Sequence, residues 1–566
     1  MFSTTYARAF LALVLWTGFT YALTISSPLG PVVDLSYAAY AGNATSPTGD
    51  ANSSVVFFGG IPYAQAPLGN LRFRAPQPLN ETATGNGTVV DARNFATPCI
   101  QQPAVLGVGS EDCLRLNVWK PANATESSNL PVVVYIYGGG LYAGTTQGFP
   151  MYDWVAENQG IVAVSVSYRL NVLGFLSGSA VGEAPDADFN AGLLDQRAAL
   201  EWVQRNIGKF GGDKDQVTID GESAGGASVV MQMVAYGGEK GAPFKRVVSQ
   251  SIGYDPLIDP LSSRAETLFA NFSIAVGCSN DTSNVSALAC LREAPLESIV
   301  TGINAIGNGD IEAVVDGNFL PDLPSHLITS GRFSTVEYMG GHCTHDGRTF
   351  AGGKPSQFVT DQDIVALTFP RWPYVTNETL QEVFDFYPKV NATGSPFVTE
   401  YDRAWTIAGD VIFTCMDQLI ADTLVSKGVE NVFSFRWNTP NPVLLAASPY
   451  LGVMHTSDLY YLFDGTTSAA NAGFTFTPFN TSEVLLSHEA IAYWTSFAAT
   501  GSPSTLRSPG STAWSPYLSS ATDRLRMVLT VGNGNVTQSG LEQKTQFEVD
   551  RCAFWMQDGI TAQTRV

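Results

Sequence analysis

Basic residues and histidines are both scarce in this sequence. Its 566 residues include 30 Lys and Arg against 51 Asp and Glu, a formal charge of −21. Binding to nucleic acid or to an anionic membrane needs clustered positive charge, so this balance disfavours both and reads as a solvated acidic surface. Only five histidines occur: His326, His342, His345, His455 and His488. A catalytic base therefore has few candidates. Apart from the stretch His342-Cys343-Thr344-His345-Asp346, no cluster of metal-ligand residues is evident. No Ser/Pro/Gly linker, charge block or internal repeat divides the chain, although its length would allow two or three domains. With 45% hydrophobic and 11% aromatic residues, a large core is available, and one large α/β domain with long excursions is expected.

Beyond the N-terminal segment no long hydrophobic run recurs. That segment has Arg8, then an apolar run from Ala9 to Phe19, then Thr20 and Ala22 at the small-residue positions of a cleavage site. It reads as a secretory signal peptide over residues 1–22, too short to be a comfortable membrane span. The C-terminal GITAQTRV carries no lipid-anchor signal, so a soluble, exported protein is expected, with no stable membrane anchor. Twelve N-x-S/T sequons, at Asn43, Asn52, Asn80, Asn86, Asn123, Asn271, Asn280, Asn284, Asn377, Asn391, Asn480 and Asn535, suit N-linked glycans on such a surface. Seven cysteines permit at most three internal bridges and leave one thiol over. The sequence specifies no oligomeric state.

The chemistry begins at QVTIDGESAGGASVV (216–230). A short β-prone run leads into Gly221-Glu222-Ser223-Ala224-Gly225, and small residues follow. This is G-x-S-x-G in the context it requires, strand then sharp turn then helix, which exposes the serine hydroxyl above a sheet. The alternative is a structural turn whose serine only caps the helix. Upstream, the apolar strand from Val132 to Tyr137 runs into Gly138-Gly139-Gly140. The expected oxyanion donors are the N–H groups of Gly139, Gly140 and Ala224, worth on the order of 3 kcal/mol each. A bland glycine-rich turn is the other reading. Chain order in this fold class runs Ser, acid, His. His455 lies in a loop-like Gly-Val-Met context ahead of an aromatic stretch, whereas His488 falls on an amphipathic helix. His455 is therefore the expected base and Ser223 the expected nucleophile.

With these pieces placed, the chain resembles the type-B carboxylesterase/lipase family, which includes cholinesterases, fungal lipases and the non-catalytic neuroligin adhesion proteins. The resemblance runs through FFGGIPYAQAPLGNLRFRAPQP (57–78), SEDCLRLNVWKP (110–121), YGGGLYAG (137–144), VSYRLNVLGFLSG (166–178), NAGLLDQRAALEWVQRNIGKFGGD (190–213), DGESAGGASV (220–229), GVMHTSDLYYLF (452–463) and RCAFW (551–555). It implies an α/β-hydrolase fold over residues 23–566, a mixed and mostly parallel sheet flanked by helices. It also implies the disulfides Cys99–Cys113, Cys278–Cys290 and Cys415–Cys552, with Cys343 left as the free thiol. Structural ion pairs Arg72–Glu111 and Arg169–Asp195 follow in the same way, as do Glu222 and Ser228 as polar residues orienting the triad. The family's acid tripeptide is Asp-Glu-Gly; here His345-Asp346-Gly347 stands in its place, so Asp346 falls on the acid position one methylene short. Asp458 is the fallback acid. A charged His345 at low pH is expected to weaken Asp346's hold on His455.

The resemblance implies a serine carboxylesterase that needs no metal or organic cofactor and acts on a small-molecule ester. The loop CIQQPAVLGVGSEDC (99–113) has no aromatic residue for a choline cation and is too short for an amphipathic lid. Short- to medium-chain esters are the expected substrates. A lipase whose lid lies elsewhere in the chain is the alternative, and a neuroligin-like adhesion protein a remoter one. Phe369, Trp372, Tyr401 and Trp405 are expected in the core rather than along the gorge.

Overall fold

Runs such as VVVYI (132–136) and VAVSV (162–166) show no polar alternation, so strands formed from them need cover on both faces. In the computed structural model these runs lie side by side in a ten-stranded sheet. The structure describes residue 1 and residues 26–44, 54–83, 87–278, 285–308, 311–469, 473–518 and 523–566. Apart from Met1, the expected signal peptide lies outside the described residues, as do the sequons at Asn52, Asn86, Asn280 and Asn284.

The strands of the main sheet are β1 (Val55–Pro62), β2 (Arg115–Pro121), β3 (Leu130–Ile136), β4 (Val162–Val166), β5 (Gly212–Glu222), β6 (Arg246–Gln250), β7 (Glu337–Cys343), β8 (Val432–Trp437), β9 (Leu525–Leu529) and β10 (Gly540–Gln543). Their spatial order is β10-β9-β8-β7-β6-β5-β3-β4-β2-β1. From β9 to β4 every neighbouring pair is parallel, and the strands at both edges pair antiparallel. Helices flank the sheet. Helix Thr481–Thr500 packs on it through Trp494 against Phe435 of β8, with ring centroids 5.1 Å apart, and helix Ala224–Val234 is buried along its whole length. This is the α/β-hydrolase sheet.

A second apolar cluster, apart from the sheet, holds Phe369, Trp372 and Tyr401 with Trp405 packed at its edge, so these four rings serve the core. The three expected disulfides are present, and Cys343 is buried without one. Of the eight described sequon asparagines, seven are exposed; Asn43 is half-buried and donates its amide to the carbonyl of Arg93 at 3.4 Å.

Both expected ion pairs form. Arg72 grips Glu111 through two bonds of 2.6 and 2.8 Å. Arg169 holds Asp195 through two bonds of 2.7 Å, and its backbone N–H adds a third donor at 3.0 Å. The segment Arg169 anchors also braces the glycine loop: Tyr168 donates its hydroxyl to the carbonyl of Tyr137 at 2.8 Å, and the Asn171 N–H bonds the carbonyl of Leu141 at 2.8 Å. Both members of the Arg169–Asp195 pair are buried, so removing one partner leaves an uncompensated charge in low dielectric. Asp195→Asn is expected to cost about 3 kcal/mol of stability, measured by chemical denaturation; an unchanged unfolding midpoint would show that the pair is dispensable.

Candidate active site

The turn after β5 places Ser223 at φ 59°, ψ −125°, a region that non-glycine residues seldom enter. Three backbone bonds fix it there: Ser223 N–H to Gln250 at 3.0 Å, and its carbonyl accepting from Ala227 at 2.8 Å and Gly253 at 3.0 Å. Two residues on, a Cβ on Gly225 would run into the carbonyl of Ile136 in β3, so only glycine allows this helix to start so close to the sheet. Ser223 therefore stands between the end of a buried strand and the positive end of helix Ala224–Val234.

Residues distant in sequence meet at the serine hydroxyl. Ser223 Oγ lies 2.7 Å from His455 Nε2, and His455 Nδ1 lies 2.9 Å from Asp346 Oδ1. Asp346 Oδ2 accepts two further bonds at 2.8 Å, from Ser251 Oγ and from the N–H of Cys343. With Nδ1 donating to Asp346, Nε2 is free to accept the serine proton. Phe350 and Phe413 flank the imidazole, at centroid distances of 5.2 and 4.7 Å. Asp346 is buried at the start of helix Asp346–Phe350, directly after β7, and His455 is buried in the loop before helix Ser457–Leu462.

The glycine loop abuts this centre. A Cβ on Gly138 would come within 2.9 Å of the Ser223 Cβ. Gly139 and Gly140 follow at φ 113° and 60° and line the same cavity as Ser223. Among the described residues neither of their N–H groups is spent on a protein acceptor. Ala224, the first residue of its helix, has no intrahelical acceptor for its own N–H. Three amide donors thus surround the serine without internal partners.

The other expected residues fall into different places. Glu222 Oε1 is 3.3 Å from His455 Nε2. Ser228 accepts from Gln196 Nε2 at 3.0 Å, between two helices, with no bond to Ser223, His455 or Asp346. Asp458 is fully buried and bonds Cys343, whose thiol donates to its Oδ1 at 3.6 Å, rather than His455. Of the remaining HCTHD side chains, His342 pairs its Nδ1 with the Cys343 carbonyl at 3.0 Å, while His345 turns its Nδ1 to the Val453 N–H at 3.0 Å. Sequence reasoning missed Ser251, Phe350 and Phe413. No motif marks them, because each reaches the site from an element whose local pattern is that of ordinary core.

Burial dominates the electrostatics. It raises Asp220 to about 8 and Asp458 to about 6, and pushes Glu222 well above the usual carboxyl range. Burial alone would lower His455, but the neighbouring Glu222 and Asp346, and then Asp458, outweigh it and raise the imidazole above its ordinary value. Since burial favours a neutral Glu222, the hydrogen-bonded Asp346 is the main group stabilising the imidazolium.

The centre opens into a cavity of about 730 Å³, within the range of small-molecule sites. Ser223 and His455 lie on its wall with Phe350, Ile412, Phe413 and Leu459. Two ion pairs, Arg371–Asp255 and Arg264–Glu312, also face it. The disulfide loop closed by Cys99 and Cys113 forms part of the rim and is pinned: Gln102 Nε2 donates to the carbonyls of Ile303 and Ile306 at 2.9 and 2.6 Å, and Ala104 and Asn304 exchange bonds of 2.6 and 2.8 Å.

Comparison with known proteins places the chain in a family. The family model described as the carboxylesterase family matches residues 30–555. A secreted lipase of Arthroderma benhamiae is 32% identical over 536 residues, covering 90% of this chain and 92% of the lipase. A cholinesterase of Mus musculus is 31% identical over 545 residues, covering 89% of this chain and 83% of the cholinesterase. The crystal structure of Aspergillus niger EstA aligns with a TM-score of 0.80 at 28% identity, covering 95% of this chain and 99% of that one.

The roles of the two nearby aspartates can be separated by titrating His455. Asp346 accepts a hydrogen bond from the ring and acts on it by charge as well, whereas Asp458 acts by charge alone. Asp346→Asn should therefore lower the His455 pKa clearly more than Asp458→Asn does, read by NMR of isotope-labelled histidine. Equal shifts would make Asp458 an equal partner.

Proposed function

The chain belongs to the carboxylesterase family and is a carboxylic ester hydrolase; on that premise we propose that it is a secreted serine carboxylesterase acting on short- to medium-chain esters through Ser223, His455 and Asp346. The observation that carries the reading is the unbroken chain from Ser223 Oγ to His455 at 2.7 Å and from His455 to Asp346 at 2.9 Å. The unspent amides of Gly139, Gly140 and Ala224 beside it add support.

In this reading His455 Nε2 takes the Ser223 proton as Oγ attacks the ester carbonyl. Asp346 keeps the imidazole in the tautomer that can do so and stabilises the imidazolium. The amides of Gly139, Gly140 and Ala224 bind the oxyanion, which forms only as the carbonyl becomes tetrahedral. His455 returns its proton to the departing alkoxide, leaving an acyl group on Ser223. Water, deprotonated by the same histidine, then releases the carboxylic acid and restores the serine. Ester and water balance the reaction without any further group.

Substrate size is inferred from the cavity and its rim. A disulfide loop tied to residues 303–306 leaves little scope for a swinging lid, and two ion pairs on the wall do not suit a long apolar chain. Secretion is supported by secreted-lipase relatives and by seven exposed sequons, which would carry N-linked glycans. None of the described helices is long and apolar enough to cross a membrane.

One observation favours the second reading, a lipase. Val105, Leu106 and Val108 are exposed on the disulfide loop whose Gln101 lines the cavity, apolar side chains of the kind that meet a lipid surface.

Two measurements test these readings. Ser223→Ala should lower p-nitrophenyl butyrate hydrolysis roughly 10⁴-fold or more with the fold intact; turnover close to the parent's would sink the mechanism. Tributyrin hydrolysis should saturate smoothly through the substrate's solubility limit, and a rate jump above that limit would favour the lipase.

A further inference from the structure

His345 occupies a position where the resemblance leads one to expect an acidic side chain, and its ring is put to a definite use. Its backbone N–H donates to the carbonyl of Val453 at 2.9 Å, while the N–H of Val453 donates to its ring Nδ1 at 3.0 Å. The two bonds form a closed pair between the residue preceding Asp346 and the residue two before His455. The chain makes room for it: Gly452 lies at φ +61°, and a Cβ there would come within 2.7 Å of His345 Nδ1 and 2.9 Å of Arg348 Nη1. Arg348 secures the same loop one turn earlier, donating to the carbonyl of Tyr450 at 3.1 Å. Thr456, just past His455, takes the left-handed conformation at φ 72°, so the short loop is bent on both sides of the imidazole.

We propose that His345 is a positioning residue of the hydrolytic site: its neutral ring clamps the loop that carries His455 against the element that carries Asp346. The proposal rests on the reading of His455 as the base. It differs from the simple expectation that a charged His345 would weaken Asp346 through space, because the ring is engaged with the loop and acts as an acceptor.

An acceptor at Nδ1 cannot carry a proton there, so the clamp and the imidazolium exclude one another. The surroundings reinforce the neutral form. Burial, then Arg348 on the same helix and Arg436 on β8, outweigh Asp402 of helix Glu400–Gly409 and the neighbouring Asp346, and lower His345 from 6.5 to about 4. The ring edge also packs against Trp405, with centroids 5.4 Å apart. A histidine whose folded-state pKa is depressed contributes stability above its ordinary pKa. That contribution fades as the pH falls from about 6.5 and is gone once the ring protonates near 4. Acid then acts twice: protonating His455 removes the base, and protonating His345 releases its loop.

Asn is the informative replacement. Its Oδ1 sits on the same γ-carbon as histidine Nδ1, so His345→Asn keeps an acceptor at the right reach without a titrating group, whereas His345→Phe keeps a ring and removes the acceptor. On p-nitrophenyl butyrate, His345→Phe should lower kcat about tenfold or more with KM within about twofold, since a displaced base costs catalysis more than binding. Hydrogen exchange of the segment 450–456 should accelerate in that variant alone. His345→Asn should restore most of kcat. As the pH falls through about 4 the parent's kcat should lose a further factor of about ten beyond the single-proton limb, a loss that His345→Asn should not show. Parental exchange in the Phe variant, or identical acid limbs for parent and Asn variant, would overturn the clamp. If Ser223→Ala left activity intact, the triad reading would fall while the exchange result still judged the clamp by itself.

Discussion

Ser223 can hold its backbone at φ 59°, ψ −125° only because its neighbours leave it no alternative. Such a conformation costs on the order of 1–3 kcal/mol and persists where the surroundings over-determine it. Here the determination comes from the central parallel strands. β5 ends at Glu222, β6 supplies the Gln250 carbonyl that captures the Ser223 N–H, and β3 lies so near Gly225 that no side chain fits. The sharp turn aims the hydroxyl away from the sheet, starts a helix beneath it and leaves the first amide of that helix unspent. The exposed hydroxyl, the unspent amide and the helix dipole thus follow from one local constraint.

Around that turn the protein gathers buried acids and separates them by their partners. Asp220 and Glu222 sit on alternate residues of β5 and so project to the same side. Burial favours their neutral forms, and Asp220 is met by Gln250 Nε2 at 3.0 Å. Among the described residues, Asp458 hydrogen-bonds the Cys343 thiol and backbone groups. Asp346 alone receives Ser251, the Cys343 amide and His455 together. A buried carboxylate is tolerable where donors compensate the lost water. The lone thiol has its place in this arrangement: Cys343 offers its backbone N–H to one acid and its side chain to another, and burial keeps that thiol protonated.

Much of this could be read from the sequence because the relevant features are local. A strand followed by G-x-S-x-G, a strand followed by three glycines, and a histidine in a loop between apolar segments all declare themselves within a dozen or so residues. The α/β-hydrolase fold, the disulfides and the ion pairs were implied by the family resemblance that ordered motifs along the chain carry. What stayed hidden depends on side chains meeting across distant elements. Ser251 looks like any serine after a strand, and nothing near it announces Asp346. Ser228 shows the converse: its motif suggested a place behind the triad, yet one helical turn carries it away to Gln196. Arg371 and Asp255 are 116 residues apart, and their meeting on the cavity wall has no local signature.

The aspartate in the glutamate position ties these threads together. A side chain shorter by one methylene reaches less far, so the imidazole must be brought to it by the backbone. The loop carrying His455 accordingly needs a hold that does not depend on the acid itself. His345 provides one from the residue next to Asp346, through a pair of bonds to Val453. An acidic residue at 345 would be a poor partner, because a carboxylate facing Arg348 and Arg436 would be drawn to those cations rather than to a single amide. A ring nitrogen offers one directional acceptor and no charge, which suits a site already crowded with carboxyl groups. The shortened acid and the neighbouring histidine are thus two parts of one local solution, and the arginines around it help to keep that histidine neutral.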